Sequence, residues 1–157
     1  SQMDRFLICL SMGYPELKDE IAILKGRSAG NPLEDLAPVA DAELLLQMQA
    51  EAERVFVHDV LYEYAANLVR ATRVHPMVEL GMSPRGGLAL VRMMKAAAYL
   101  KGKNYVTPKE TEQVFVDVGI HRIRLGTKAR MNHMTAREVL EEILRQVPRP
   151  VPKKKNG

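Results

Sequence analysis

An arginine in the first turn of a helix needs an anion close by, and the stretch ELGMSPRGGLALVRMMKAAAYLKG, Glu79 to Gly102, puts Arg85 there. Ser83 suits the N-cap and Pro84 the first helical position, where a missing N–H costs nothing. The helix dipole then disfavours a cation by a few tenths of a kcal/mol, roughly, unless negative charge is near. Gly86 and Gly87 follow, each costing about 1 kcal/mol relative to alanine inside a helix. Local conflict of this kind marks functional sites. A helix start offers N–H groups to a phosphate, and a guanidinium adds a planar donor fork that matches its oxygens. The ordinary alternative is a surface arginine paired with Glu79 or a nearby carbonyl. Arg5, in the stretch QMDRF, is the second candidate, and its ordinary alternative is a local pair with Asp4.

Other chemistry is thin. The chain has no G-x-x-x-x-G-K-[ST] loop, no H-E-x-x-H and no nucleophile elbow. Glu34-Asp35 and Glu141-Glu142 are paired carboxylates, but a polar loop and a charged helix face make them solvated rather than catalytic. Cys9 is the single cysteine, so neither a disulfide framework nor a thiolate zinc site is available. His58, His75, His121 and His133 show no metal-ligand spacing. The methionines, Met12, Met48, Met93 and Met94 among them, read as adaptable core or interface filler.

The elements that must hold these arginines are mostly helical. Phe6 to Met12 (FLICLSM) is the one strand-like run, suited to a strand buried on both faces whose sheet partners would lie upstream; the ordinary alternative is a short core strand or buried helix segment. Leu17, Ile21 and Leu24 set a short helix ending near Gly26, and residues 26–38 are a loop by composition. Asp41 caps a second helix with a stripe of Leu45, Met48, Ala52 and Val55, followed by an extended link at Val55 to Val57. A third helix runs from His58 to Arg73, turning Leu61, Tyr64, Ala65, Leu68 and Thr72 inward. The fourth begins at Ser83-Pro84 and buries Leu90, Met93, Met94, Ala97 and Leu100. Thr107-Pro108-Lys109-Glu110 and Thr135-Ala136-Arg137-Glu138 are capping boxes opening two more. The first of these buries Thr111, Val114, Phe115 and Val118, the second Leu140, Ile143, Leu144 and Val147. The fold class is therefore mainly α, a helical bundle preceded by one orphan strand.

Formal net charge is +4, and Lys153 to Lys155 in the proline-rich tail supply three of those charges. With that near-neutral body, no tryptophan and few aromatic residues, a nucleic-acid partner is disfavoured. No apolar run approaches the length of a membrane span, and no signal peptide is visible. A reducing, cytoplasmic setting fits. The chain opens without an initiator methionine, as a piece excised from a longer protein would.

Taken in order, QMDRF, the apolar run ending in GYP, the block VRATRVHPMVELGMSPRGGLAL, then GKNYVTPKE and HRI resemble the C-terminal part of MoxR-type AAA+ ATPases. The resemblance covers nearly the whole chain. It implies that residues 1–14 are the end of an α/β core, with the arginine-finger segment and last core strand. Residues 15–147 would be the helical lid and 148–157 a disordered basic tail. It assigns Arg5 as an arginine finger acting in trans and Arg85 as the sensor 2 arginine, a catalytic residue that contacts bound nucleotide in cis or in trans. Gly86 and Gly87 would let the helix approach the ligand or the core closely.

The resemblance further implies ATP and Mg²⁺ in the full-length parent, with nucleotide-binding and Mg²⁺-holding motifs upstream and nothing bound to this segment alone. Other subunits of a homo-oligomeric ring, partners with von Willebrand factor A domains and an unnamed protein client would be its associates. The function implied is to couple ATP binding and hydrolysis to chaperone-like remodelling or maturation of protein complexes. Outside the resemblance, two readings remain open. One is a free-standing helix-turn-helix-like DNA binder using Arg70, Arg73, Arg92 and Lys95; the other is a helical protein adaptor.

Overall fold

The computed structural model describes residues 2–28, 31 and 36–151, and the chain divides into two compact units, residues 1–9 with 49–157 and residues 10–48. Among the described residues are seven α-helices, one 3₁₀ turn at Gln2–Arg5 and a two-stranded sheet, so the protein is mainly α. In chain order they are α1 (Leu17–Ser28), α2 (Ala42–Glu53), α3 (Asp59–Val74), β1 (Val78–Leu80), α4 (Pro84–Tyr99), α5 (Pro108–Gly119), β2 (Arg124–Leu125), α6 (Thr127–Met131) and α7 (Ala136–Gln146).

The core of the larger unit is the meeting of α3, α4, α5 and α7. Helix α3 buries Leu61, Tyr64, Ala65, Leu68, Val69 and Thr72, the three-and-four spacing of one helical face. Across from it α4 buries Ala89, Leu90, Met94 and Ala97, α5 Val114, Phe115 and Val118, and α7 Val139, Leu140 and Ile143. Leu68, Leu90, Phe115, Leu140 and Ile143 are shielded completely, each burial favouring the fold by about 1.5–3 kcal/mol. Both capping boxes form: Glu110 accepts from the Thr107 N–H at 3.0 Å and Glu138 from the Thr135 N–H at 2.7 Å. The extended link also forms. Phe56 bridges Tyr105 in parallel, its N–H donating to Asn104 O and its carbonyl accepting from the Val106 N–H, both at 2.9 Å.

Two short pieces escape the sequence patterns. β1 pairs antiparallel with β2, Val78 opposite Leu125 and Leu80 opposite Arg124, with an irregular register between. This pair leads straight into Gly81-Met82-Ser83, the approach to α4. Helix α6 then carries the chain on to α7.

Several expectations need correction. Phe6 to Met12 forms neither strand nor helix. A strand needs a neighbour's ladder, and here the backbone groups are used otherwise. The Cys9 N–H donates to Asp117 O at 2.9 Å, while the carbonyls of Phe6 and Leu7 accept from Arg122. Phe6 stays 62% exposed and only Ile8 packs partly on the core. The stripe of α1 is not buried either, since Leu17, Ile21 and Leu24 all lie open, as does Leu45 on α2. Further along α2, Met48 and Ala52 are half-buried, and Val55 just past its end is buried. Leu100, expected inward, is exposed because α4 stops one residue earlier and the chain turns at Gly102. Arg149 donates its Nε to Glu112 at 2.6 Å, so the expected free tail is tied to α5 at that point. Glu34-Asp35 and Lys153 to Lys155 lie outside the described residues.

Candidate functional site

Arg85 is the second residue of α4, and three interactions hold the loop that delivers it. The Thr72 hydroxyl donates to Val69 O at 2.6 Å and accepts the Met82 N–H at 2.9 Å. The Arg73 Nε–H donates to Met82 O at 2.7 Å. A Cβ on Gly81 would lie 2.7 Å from backbone atoms of Thr72 and Arg73, so the loop touches α3 directly. The end of α3 is thus the bench on which the start of α4 rests.

Ser83 occupies the N-cap position, yet its hydroxyl does not cap the helix. It donates instead to Asp4 Oδ2 at 2.9 Å. The other oxygen of Asp4 accepts from Arg122 Nε at 3.1 Å. Glu79 pairs with Arg124 at 3.2 Å. The two carboxylates that would ordinarily neutralise Arg5 and Arg85 are therefore taken by other groups. Arg5 and Arg85 are both exposed, and neither side chain has a hydrogen bond or ion pair among the described residues. They line one open depression of about 440 Å³ together with Gln2 and Asp4. Residues 80 positions apart in sequence are brought to one place.

Behind them lies Arg122, which the sequence patterns did not single out as a site residue. Its side chain is 2% exposed. Burial lowers its pKa, Asp4 raises it and the charge of Arg85 lowers it again, so Arg85 is close enough to be felt. The visible signal was a charge between Ile120 and Ile123 in the stretch GIHRIRL, an arginine inside an apolar turn.

Gly86 is buried against this side chain: an added Cβ would meet Met82 Cε at 2.9 Å and Arg122 Cδ at 3.0 Å. Close approach is indeed the reason for that glycine, but the neighbour is Arg122 rather than a ligand. Gly87 has only Val69 Cγ2 at 3.8 Å.

The remaining candidates are scattered. Glu141 faces Arg137 at 4.0 Å and Glu142 faces His75 at 3.7 Å, a surface pair and an interhelix contact. No group of three or more His, Cys, Asp or Glu side chains is placed to hold a metal among the described residues. Of the cations that would face DNA, Arg73 is spent on Met82 and Lys95 Nζ donates to Glu53 O at 2.7 Å. No helix among the described residues is long and apolar enough to cross a membrane.

Residues 70–143 match the AAA lid domain family. The chain is 36% identical to the uncharacterized protein YeaC of Bacillus subtilis, over 96% of its own length and 47% of that protein. It is 30% identical to the chaperone MoxR1 of Mycobacterium tuberculosis, over 96% of its length and 42% of that protein. The protein MoxR of Methylorubrum extorquens matches over 48% of the chain at 32% identity and 21% of its own length. A crystal structure from Cytophaga hutchinsonii, of a protein assigned as a candidate ATPase, superposes with a TM-score of 0.87 at 26% identity, over 96% of this chain and 48% of that one. The chain thus spans about half the length of the relatives it matches. Residues 70–143 are thus an AAA lid domain, and the chain as a whole is similar to part of the MoxR-type AAA+ proteins.

Proposed function

We propose that this segment supplies the phosphate-reading arginines of an ATP-hydrolysing, ring-forming protein, Arg5 as the arginine finger in trans and Arg85 as sensor 2. The observation that carries the reading is that both guanidinium groups are exposed, unpaired and set on one depression while Asp4 and Glu79 are engaged elsewhere. Two like charges so placed repel unless an anion joins them, and the multiply charged end of a nucleoside triphosphate is such an anion. Their place on one depression supports a common target, one phosphate group for both Arg5 and Arg85. If Arg5 serves the neighbouring subunit, so does Arg85.

Phosphoryl transfer is governed by positioning and charge stabilisation, and an arginine delivered to the transferred group is worth roughly 10³–10⁵ in rate. Mg²⁺, whose role is to neutralise phosphate charge, falls to carboxylates elsewhere in the complete protein, because the donors assembled here are cationic. The work coupled to hydrolysis would be chaperone-like remodelling or maturation of a protein complex, in the cytoplasm and with von Willebrand factor A domain proteins as candidate partners. That part rests on the family alone.

The test is steady-state ATP hydrolysis by the complete protein carrying Arg5→Ala or Arg85→Ala, alone and mixed with a subunit whose own nucleotide pocket is disabled. Each substitution should lower kcat at least a hundredfold, and each mixture should regain activity. Turnover that survives both substitutions would sink the reading.

A further inference from the structure

We infer that Arg122 is a positioning residue that sets the spacing of Arg5 and Arg85 and makes them a single unit. This rests on the reading above for its catalytic consequence, but its geometry stands by itself.

A guanidinium has five N–H donors. In Arg122 all five are used. Nε donates to Asp4 Oδ1 at 3.1 Å, one Nη to Leu7 O at 3.0 Å and to Val118 O at 2.5 Å, and the other to Asp4 O at 3.4 Å and to Phe6 O. Val118 belongs to α5, and the other acceptors belong to residues 4, 6 and 7. The clamp therefore grips the chain on both sides of Arg5 and leaves the Arg5 side chain exposed. Asp4 completes the connection, since its second oxygen holds the hydroxyl of Ser83, two residues before Arg85. Arg5 and Arg85 are thus each one or two residues away from the same Asp4–Arg122 pair.

Gly86 is part of the same device, because its missing Cβ is the space through which the Arg122 stem passes. A lysine has a single ammonium centre and cannot span these five acceptors. A buried charge is expensive unless fully paired, so Arg122 is stable only when residues 4–7 are docked. Segment and lid then move together, and with them the two exposed arginines.

The first experiment reads geometry on this chain without any nucleotide. Cys9 is replaced by Ser, cysteines are placed at exposed Gln2 and Leu88, and nitroxide labels on them are measured by pulsed EPR. The parent should show one narrow distance, and Arg122→Lys and Asp4→Asn should each broaden it while circular dichroism still shows the folded bundle. A distance that stays narrow in both variants overturns the inference.

The second experiment uses the complete protein. Arg122→Lys should lower kcat about 10–100-fold, the cost of small misplacement in a reacting geometry, with KM for ATP within twofold. The loss should appear only when the variant subunit donates Arg5 to a neighbour, and it should add nothing to Arg5→Ala. Equal loss in donor and receiver positions would overturn the inference in favour of a merely structural role. A broadened distance with unaltered turnover would uphold the spacing role and sink instead the roles assigned to Arg5 and Arg85.

Discussion

Three glycines near the site separate backbone necessity from side-chain room. At Gly81 a Cβ would lie 2.7 Å from backbone that has no freedom to yield, so Gly81→Ala should cost about 1–3 kcal/mol as the approach to α4 is pushed off α3. At Gly86 the clash is with Met82 and with a pinned Arg122 stem, and Gly86→Ala should also destabilise, by less. At Gly87 the nearest atom is an ordinary 3.8 Å away, so alanine there should stabilise α4 by up to about 1 kcal/mol. Urea unfolding of the three variants checks that order, and a destabilised Gly87→Ala would contradict it. The sequence marks all three with the same letter. Only the neighbours, distant along the chain, tell them apart.

Among the elements, those whose reasons are local were legible and those whose reasons are remote were not. Both capping boxes and the inward face of α3 follow from residues within one or two turns. The apolar run Phe6 to Met12 reads as a strand because its composition says so, yet strand formation depends on a partner ladder that no local pattern supplies. What Arg122 grips was illegible for the same reason: its acceptors at residues 4, 6 and 7 lie more than 110 positions away. Arg85 stood out because a cation followed by two glycines broke the local rules of a helix start, whereas Arg5 read locally as a pair with Asp4 and stood out only through the family resemblance of QMDRF. That Asp4 and Glu79 are occupied elsewhere could not be read from the sequence.

The start of α5 shows what a local motif becomes in context. Glu110 is wholly buried and accepts from the Thr107 hydroxyl and N–H and from Lys101 and Lys103, at 3.2 and 2.9 Å. Burial would raise its pKa, but the hydrogen bonds from Thr107, Lys103 and Lys101 together pull it from 4.5 down to about 2. A carboxyl depressed in the folded state adds stability above its unfolded pKa and forfeits it as pH falls through the folded one. The Glu110 contribution is therefore complete above about pH 4.5 and fades towards pH 2. Glu110→Gln should lower stability at pH 7 by roughly 2 kcal/mol and flatten the acid side of the stability profile. Thermal unfolding between pH 7 and 3 measures both; a variant whose acid limb parallels the parent's would refute the assignment.

For the molecule as a whole, the division of the chain is the telling feature. Residues 1–9 belong with residues 49–157, although 39 intervening residues form a unit of their own. The contacts responsible are the Arg122 clamp and the Cys9 N–H bond to Asp117 O, both reaching across the chain to the end of α5. Opening energy follows buried contacts, and the two units differ sharply in them. The larger unit encloses a continuous core, whereas α1 has Leu17, Ile21, Ile23 and Leu24 all exposed. Native-state hydrogen exchange should accordingly show two tiers. Amides in the interiors of α4 and α5 should exchange only with global unfolding, and those of α1 at least a hundredfold faster through local opening. The Cys9 amide, bonded to Asp117 O, should be slowed well beyond those of its neighbours in residues 10–14, and Arg122→Lys should release it while leaving the interior of α4 protected. If Cys9 exchanges as freely as residues 10–14 in the parent chain, the segment carrying Arg5 does not travel with the lid. Under the proposed function, Arg5 and Arg85 would then answer to the nucleotide separately rather than as one unit.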